Sequence, residues 1–136
     1  MKKSSLIEKV TLQQIHDDCL LCIAESHKQI PFPIKRLYYM VKNSPGLPRG
    51  YHTHKKLQQI FFCLQGKVRM ILDDGNHREE IVLDQPGIGL RLRPLIWHEM
   101  HDIGVDTIML VVASDKYDET DYIREYAAFK KHLGSL

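Results

Sequence analysis

No stretch of this sequence approaches the ~20 consecutive apolar residues that a membrane-spanning helix needs. Its opening, MKKSSLIEKVTLQQIHDD, has neither the apolar core nor the small-residue cleavage site of a signal peptide. A soluble, cytoplasmic protein with no membrane partner is expected. Cysteine is scarce and odd in number, three in 136 residues, which argues against a disulfide framework. Cys19 and Cys22 form a C-x-x-C, but within an apolar run, CLLCIA, that reads as a strand. Positions three apart on a strand face opposite sides, so the pair predicts buried, inert thiols rather than part of a zinc site. An excess of either charge is also missing: nineteen Lys and Arg face seventeen Asp and Glu, for a net +2. That balance argues against nucleic acid or an anionic membrane as partner, while local basic positions can still hold a phosphate. Repeats, low-complexity tracts and linkers are absent. With 43 % apolar and 26 % charged residues, the composition is that of one globular domain over residues 1–136.

What is present is a series of short β-like runs, at 20–24, 34–41, 59–64, 68–72, 80–83, 87–92 and 107–113. Turn residues separate them: Ser44-Pro45-Gly46, Gln65-Gly66, Asp74-Gly75-Asn76, Gln85-Pro86-Gly87 and the stretch 102–104. Asp74-Gly75 between two such runs is a strong hairpin signal, because both residues tolerate the positive φ of a tight turn. Many short strands with regular punctuation predict an all-β antiparallel sandwich or barrel. Only the end of the chain reads as helical. From Thr120 the apolar residues Tyr122, Ile123, Tyr126, Phe129 and Leu133 fall near helical spacing, with Asp118 or Thr120 as a cap and Gly134 as a stop. Such a helix would cover the barrel or meet a second subunit.

The histidines carry the chemical information. His52 and His54 are two apart, so on a strand both imidazoles point to one face, about 6–7 Å apart along the backbone. Gly50 just before them permits a close backbone approach. A second cluster follows in Trp97-His98-Glu99-Met100-His101. Imidazoles converging inside a barrel bind a metal or move protons.

The spacing G-(x)5-H-x-H-(x)4-Q-(x)6-G, from Gly46 to Gly66, is similar to the first cupin motif, with Gln59 where metal cupins carry Glu. Of the second motif, Pro94 and His98 are recognisable, but the usual glycine after the proline is missing. The resemblance implies a cupin-type antiparallel β-barrel, or jelly roll, with a short C-terminal helix. A closer resemblance runs from about Ile30 to Phe129. The stretches IPFPIKRLYYM, PRGYHTHKKLQQ, ILDDGN, WHEMHD and ASDKYDETDYIREYAAF resemble the sugar-nucleotide 3,4-ketoisomerases. That family acts on dTDP-4-oxo-6-deoxyglucose on the way to 3-amino-3,6-dideoxyhexoses. It implies a dTDP-linked 4-keto-6-deoxyhexose as ligand, no cofactor, no required metal and a homodimer.

The implied reaction moves a carbonyl from C4 to C3 through an enediol, work suited to a side chain titrating near neutrality. By the resemblance His52 is the leading acid/base, and His54 its partner in shuttling or orientation. A neutral Gln59 amide is a weak ligand for a divalent cation, in keeping with a metal-free site. Arg36 and Arg49 are candidates for the diphosphate. Strand parity puts Arg49 opposite His52, unless Gly50 breaks the regularity. Tyr38 and Tyr39 alternate faces, so one is expected to point inward, to bind sugar or fill the core. Trp97 stacks on thymine or packs. Lys55 and Lys56 read as a solvated edge. His98 in WHEMH is similar to the branch that leaves a galacto-configured product, rather than the gluco branch. Competing readings are a metal-dependent cupin enzyme using His52, His54 and His98, a non-catalytic sugar-binding cupin, and a sugar-nucleotide 3,5-epimerase.

Overall fold

The computed structural model describes residues 5–42, 44 and 46–136. The turn expected at Ser44-Pro45-Gly46 lies partly outside them, at Pro45. In chain order the described strands are β1 (Lys9–Thr11), β2 (Gln13–His16), β3 (Leu20–Ile23), β4 (Arg36–Val41), β5 (Arg49–His54) and β6 (Gln59–Gln65). They continue with β7 (Val68–Asp73), β8 (Arg78–Leu83), β9 (Ile88–Leu92), β10 (Trp97–His101), β11 (Ile108–Ala113) and β12 (Tyr122–Ile123). One helix, α1 (Tyr126–Gly134), follows β12.

Two five-stranded sheets form, β1-β9-β6-β11-β4 and β12-β5-β10-β7-β8, with β2 and β3 as a separate hairpin. Every strand pair in them is antiparallel. The all-β sandwich with a short C-terminal helix is therefore the observed fold. Its main core lies between the sheets, where Phe61, Met70, Leu72, Leu90 and Val111 are buried. β6 is buried on both faces: Phe61 and Cys63 enter this core, while Ile60 and Phe62 pack beneath Leu12, Ile30 and Phe32 outside. That double burial explains why Ile60-Phe61-Phe62-Cys63 is continuously apolar rather than alternating.

The C-terminal segment corrects the reading of one helix from Thr120. Asp118 does act as a cap, its carboxylate accepting the Thr120 N–H, but of a three-residue 3₁₀ turn, Glu119–Asp121. The chain then extends as β12, which pairs Tyr122 with His54 and Ile123 with Thr53. Pairing with β5 thus overrides helical spacing at Tyr122 and Ile123, and α1 starts four residues past Asp121's neighbour, at Tyr126. Cys19 is a second correction. It is exposed in the β2–β3 turn, its N–H bound by the Asp17 carboxylate, and Cys22 is only half-buried. The polar Asp17-Asp18 pair makes Cys19 part of a turn, so the strand starts at Leu20.

Candidate active site

The site is built where β5 and β10 lie side by side. Their register pairs His98 with His52, then Glu99 with Gly50 and Met100 with Arg49, so Tyr51 is an extra residue in β5. Gly50 (φ 88°) and Tyr51 (φ 60°) take the left-handed conformations that such a bulge requires. A Cβ on Gly50 would stand 3.1 Å from the His98 carbonyl oxygen and 3.4 Å from the Glu99 Cα. The bulge also changes parity. Arg49, expected opposite His52, borders the same cleft as His52 and His98.

That cleft has a volume of about 460 Å³ and lies between the two sheets. Arg36, Tyr38, Tyr39, Tyr122 and Arg124 complete its polar wall. The His52 ring centroid is 4.4 Å from that of His98 and 5.0 Å from that of His54. His52 Nδ1 lies 3.1 Å from the Gly50 carbonyl oxygen, which can only accept. Nδ1 therefore carries the hydrogen and Nε2 keeps its lone pair. Burial pushes the His52 pKa below 6.5, chiefly by penalising the charged form. The same cause, reinforced by the neighbouring His52, lowers His54 to about 3 and His98 well below 6.5. At neutral pH all three rings are uncharged.

His54 is 3 % exposed and borders a second, smaller cavity of about 120 Å³ behind the cleft. Its Nδ1 is 3.8 Å from an Asp121 oxygen, and neither ring nitrogen has a hydrogen-bond partner. Asp121 is itself fixed, accepting the backbone N–H groups of Lys56 and Leu57 at 3.0 and 3.1 Å.

Tyr38 points inward and Tyr39, 68 % exposed, reaches the cleft from the solvent side. The buried Gln59 amide donates to the Tyr38 phenol oxygen at 2.7 Å. Gln59 thus stands behind Tyr38 and does not face the cleft. Burial pushes the Tyr38 phenol up to about 12, so it keeps its proton. The Arg36 guanidinium lies over the Tyr38 ring, 5.0 Å from its centroid. Trp97 is not in the cleft. As the neighbour of inward-facing His98 it points out, packs against Tyr126 and Phe129 under α1, and donates its indole N–H to Glu99. Lys55 is exposed, with its ammonium on the Thr120 carbonyl, whereas Lys56 borders the small cavity.

Residue-by-residue reasoning missed Tyr122, Arg124 and Asp121. Arg124 makes a two-pronged ion pair with Glu119, at 2.8 Å each, and lies 4.3 Å from the Tyr122 ring centroid. Arg124 and Tyr117, both hydrogen-bonded to Glu119, hold its carboxyl down at about 2. These residues lie in the quoted stretch ASDKYDETDYIREYAAF, where the resemblance was the available signal.

A family model described as "FdtA: WxcM-like, C-terminal" matches residues 4–134. A TDP-4-oxo-6-deoxy-alpha-D-glucose-3,4-oxoisomerase of Aneurinibacillus thermoaerophilus is 53 % identical over 116 residues, 85 % of this chain and 84 % of that one. The chain belongs to the sugar 3,4-ketoisomerase family. Among solved structures, the ketoisomerase QdtA of Thermoanaerobacterium thermosaccharolyticum with TDP superimposes with a TM-score of 0.91 at 39 % identity, covering 96 % of each chain. A histidine-to-asparagine variant of QdtA, solved with TDP-4-keto-6-deoxyglucose, gives 0.92 at 37 % identity, over 98 % of this chain and 97 % of that one. Membership makes this ketoisomerase an isomerase with the cupin-like fold seen here.

Among the described residues, the ring nitrogens of His52, His54 and His98 do not form a group gathered within 4.8 Å. The Gln59 amide nitrogen is engaged by Tyr38, while its carbonyl oxygen is buried without a partner. Among the described residues, no helix is long and apolar enough to cross a membrane.

Proposed function

We propose that this ketoisomerase converts dTDP-4-oxo-6-deoxy-D-glucose to a dTDP-3-oxo-6-deoxyhexose, with His52 as the base that removes the C3 proton. The observation that carries this is His52 itself: neutral, locked by the Gly50 carbonyl, with its free Nε2 at the cleft. Loss of the C3 proton forms the C3–C4 double bond and moves electrons onto O4. Tyr38, protonated and with its oxygen already accepting from the Gln59 amide, donates to that developing oxyanion. His52 then returns a proton to C4 as C3 becomes the carbonyl. Oxidation at C3 balances reduction at C4, so no redox cofactor is required.

Arg36 and Arg49, joined by Arg124, supply positive charge for the diphosphate. We favour the galacto product, on the likeness of the WHEMH stretch to that branch. A cytoplasmic homodimer completes the reading. Its support is the exposed apolar surface of Leu20, Leu37 and Leu64, which line one groove. The test is incubation with dTDP-4-oxo-6-deoxy-D-glucose and identification of the product by NMR, wild type against His52→Asn. The variant should bind dTDP and lose about 10²–10⁴-fold in rate. Full activity in His52→Asn would remove His52 from the mechanism.

A further inference from the structure

His52 follows directly on the irregular turn of β5, and its ring takes its aim from there. Its Nδ1 is bound by the Gly50 carbonyl. That carbonyl belongs to the planar peptide joining Gly50 to Tyr51, so Gly50 ψ and Tyr51 φ set where it points. Tyr51 stands at φ 60°. For glycine or asparagine that conformation is ordinary. For an aromatic residue it is strained, and it persists only where the surroundings impose it. Tyr51 has no counterpart on β10, and it does not line the cleft. It is 40 % exposed, so burial in a core does not account for the aromatic either.

The outer face of the sheet supplies the constraint. On β10, Trp97, Glu99 and His101 alternate with the cleft residues His98 and Met100, and so share the face away from the cleft. The Tyr51 phenol oxygen lies 3.3 Å from His101 Nε2, with the ring centroids 5.7 Å apart in an edge-on contact. The same Nε2 lies 2.8 Å from one oxygen of Glu99. A carboxylate can only accept, so Nε2 carries the hydrogen and shares it between Glu99 and Tyr51. Glu99 is itself buried. Its other oxygen accepts the Trp97 indole N–H at 2.9 Å and stands 3.6 Å from the Arg78 guanidinium. Arg78 and the Tyr126 hydroxyl of α1 both donate to buried Asp73, at 2.8 and 2.9 Å. The contacts that begin at Tyr51 therefore end in groups fixed by β7, β8 and α1.

Resting on the reading of His52 as the base, we propose that Tyr51, His101 and Glu99 form a brace on the outer face of the sheet. It fixes the Gly50–Tyr51 peptide and so the tautomer and aim of His52. All three are positioning residues, and none lines the cleft. Were Tyr51 to relax to an extended φ, the Gly50 carbonyl would turn away from Nδ1. The ring could then carry its hydrogen on either nitrogen, and only molecules with a bare Nε2 can take the C3 proton. The brace accounts for a strained tyrosine where glycine or asparagine suits the backbone better. Neither of those side chains has the reach of a phenol to His101.

Two variants test the brace. Tyr51→Asn removes the phenol but suits the left-handed backbone, and His101→Ala cuts the link to Glu99 without altering the sequence of β5. Each is assayed with dTDP-4-oxo-6-deoxy-D-glucose, and dTDP affinity and Tm report folding. Nitrogen NMR of the free enzyme, labelled with ¹⁵N-histidine, reads the His52 tautomer, its signals assigned by their loss in His52→Asn. In both variants kcat should fall on the order of tenfold, within the ~10²-fold that a 1 Å misplacement can cost. KM and dTDP affinity should be unchanged, and His52 should pass from the Nδ1–H form to a mixture of tautomers. His101→Gln, whose amide N–H groups can reach the same two oxygens, should recover part of the rate. A merely structural role predicts a lowered Tm with the His52 tautomer unmixed, and that result overturns the brace, whatever happens to kcat. So does wild-type behaviour of both variants. If Tyr51→Asn fails to bind dTDP, His101→Ala decides by the same readouts. Absence of turnover by the wild type would overturn the reading of His52 as the base, while the tautomer signal would still decide whether the brace holds its ring.

Discussion

At the residue scale, function follows from how each titrating group is held. A base must be unprotonated to act, and burial has already lowered the His52 pKa below 6.5. The rate should therefore stay level from pH 8 down to about the unperturbed histidine value of ~6.5 and fall only below it. A pH profile of kcat/KM checks this; an acid limb centred above 6.5 would contradict the neutral, buried imidazole. Gln59 offers a second test. Its amide donates to Tyr38, which leaves the phenol proton free for substrate oxygen. In Gln59→Glu an ionised carboxylate can only accept, so the Tyr38 proton turns toward it and away from the cleft. Steady-state kinetics should show kcat reduced by about 10²-fold, the order expected for loss of one aimed donor. Unchanged kcat would mean that Tyr38 does not stabilise the oxyanion.

At the scale of elements, the site depends on an irregular strand. β5 brings Arg49 to the side of His52 only because Tyr51 is inserted as a bulge after Gly50. Gly50→Ala forces a Cβ against the His98 carbonyl and the Glu99 Cα, both backbone atoms that cannot give way. It also places alanine at φ 88°. Denaturant titration should show a loss of at least about 1–2 kcal/mol, and activity should fall further as His52 and Arg49 shift. Gly134→Ala, where nothing lies within 4 Å of the added carbon, is the control and should change stability little. The same bulge marks the limit of what the sequence made legible. Alternation was sufficient to set Tyr38 and Tyr39 on different faces, though not to say which points inward, and to set His52 with His54, because β4 and the end of β5 are regular. Alternation would also have sent Trp97 outward once His98 was inward. Parity failed for Arg49, where a glycine broke the period. Periodicity failed at Tyr122 and Ile123, which align like a helix but pair with β5, a long-range contact no local pattern records.

At the scale of the whole molecule, assembly and acid stability follow from surface and interior respectively. Leu20, Leu37 and Leu64 are 42 to 56 % exposed and surround an apolar groove that also includes Cys22 and Ile34. Sedimentation should give a dimer at micromolar concentration, and Leu37→Asp should shift it toward monomer. A wild-type monomer would refute the pairing. The interior sets a separate dependence on pH. His54 and His98 are buried and neutral, with pKa values of about 3 and well below 6.5. In the unfolded chain both return to about 6.5, so below that pH the unfolded state binds protons that the folded state refuses. Their contribution is thus fully present above pH ~6.5 and is lost as pH falls toward the folded values. The slope is at most about 1.4 kcal/mol per pH unit for each ring. Thermal unfolding should therefore show Tm level above pH 7 and falling steadily between pH 6.5 and 4.5. His54→Gln, which keeps an uncharged polar side chain in place of the ring, should flatten that fall even if it lowers Tm at pH 7. An equal pH slope in wild type and His54→Gln would mean that His54 does not stay neutral in the fold.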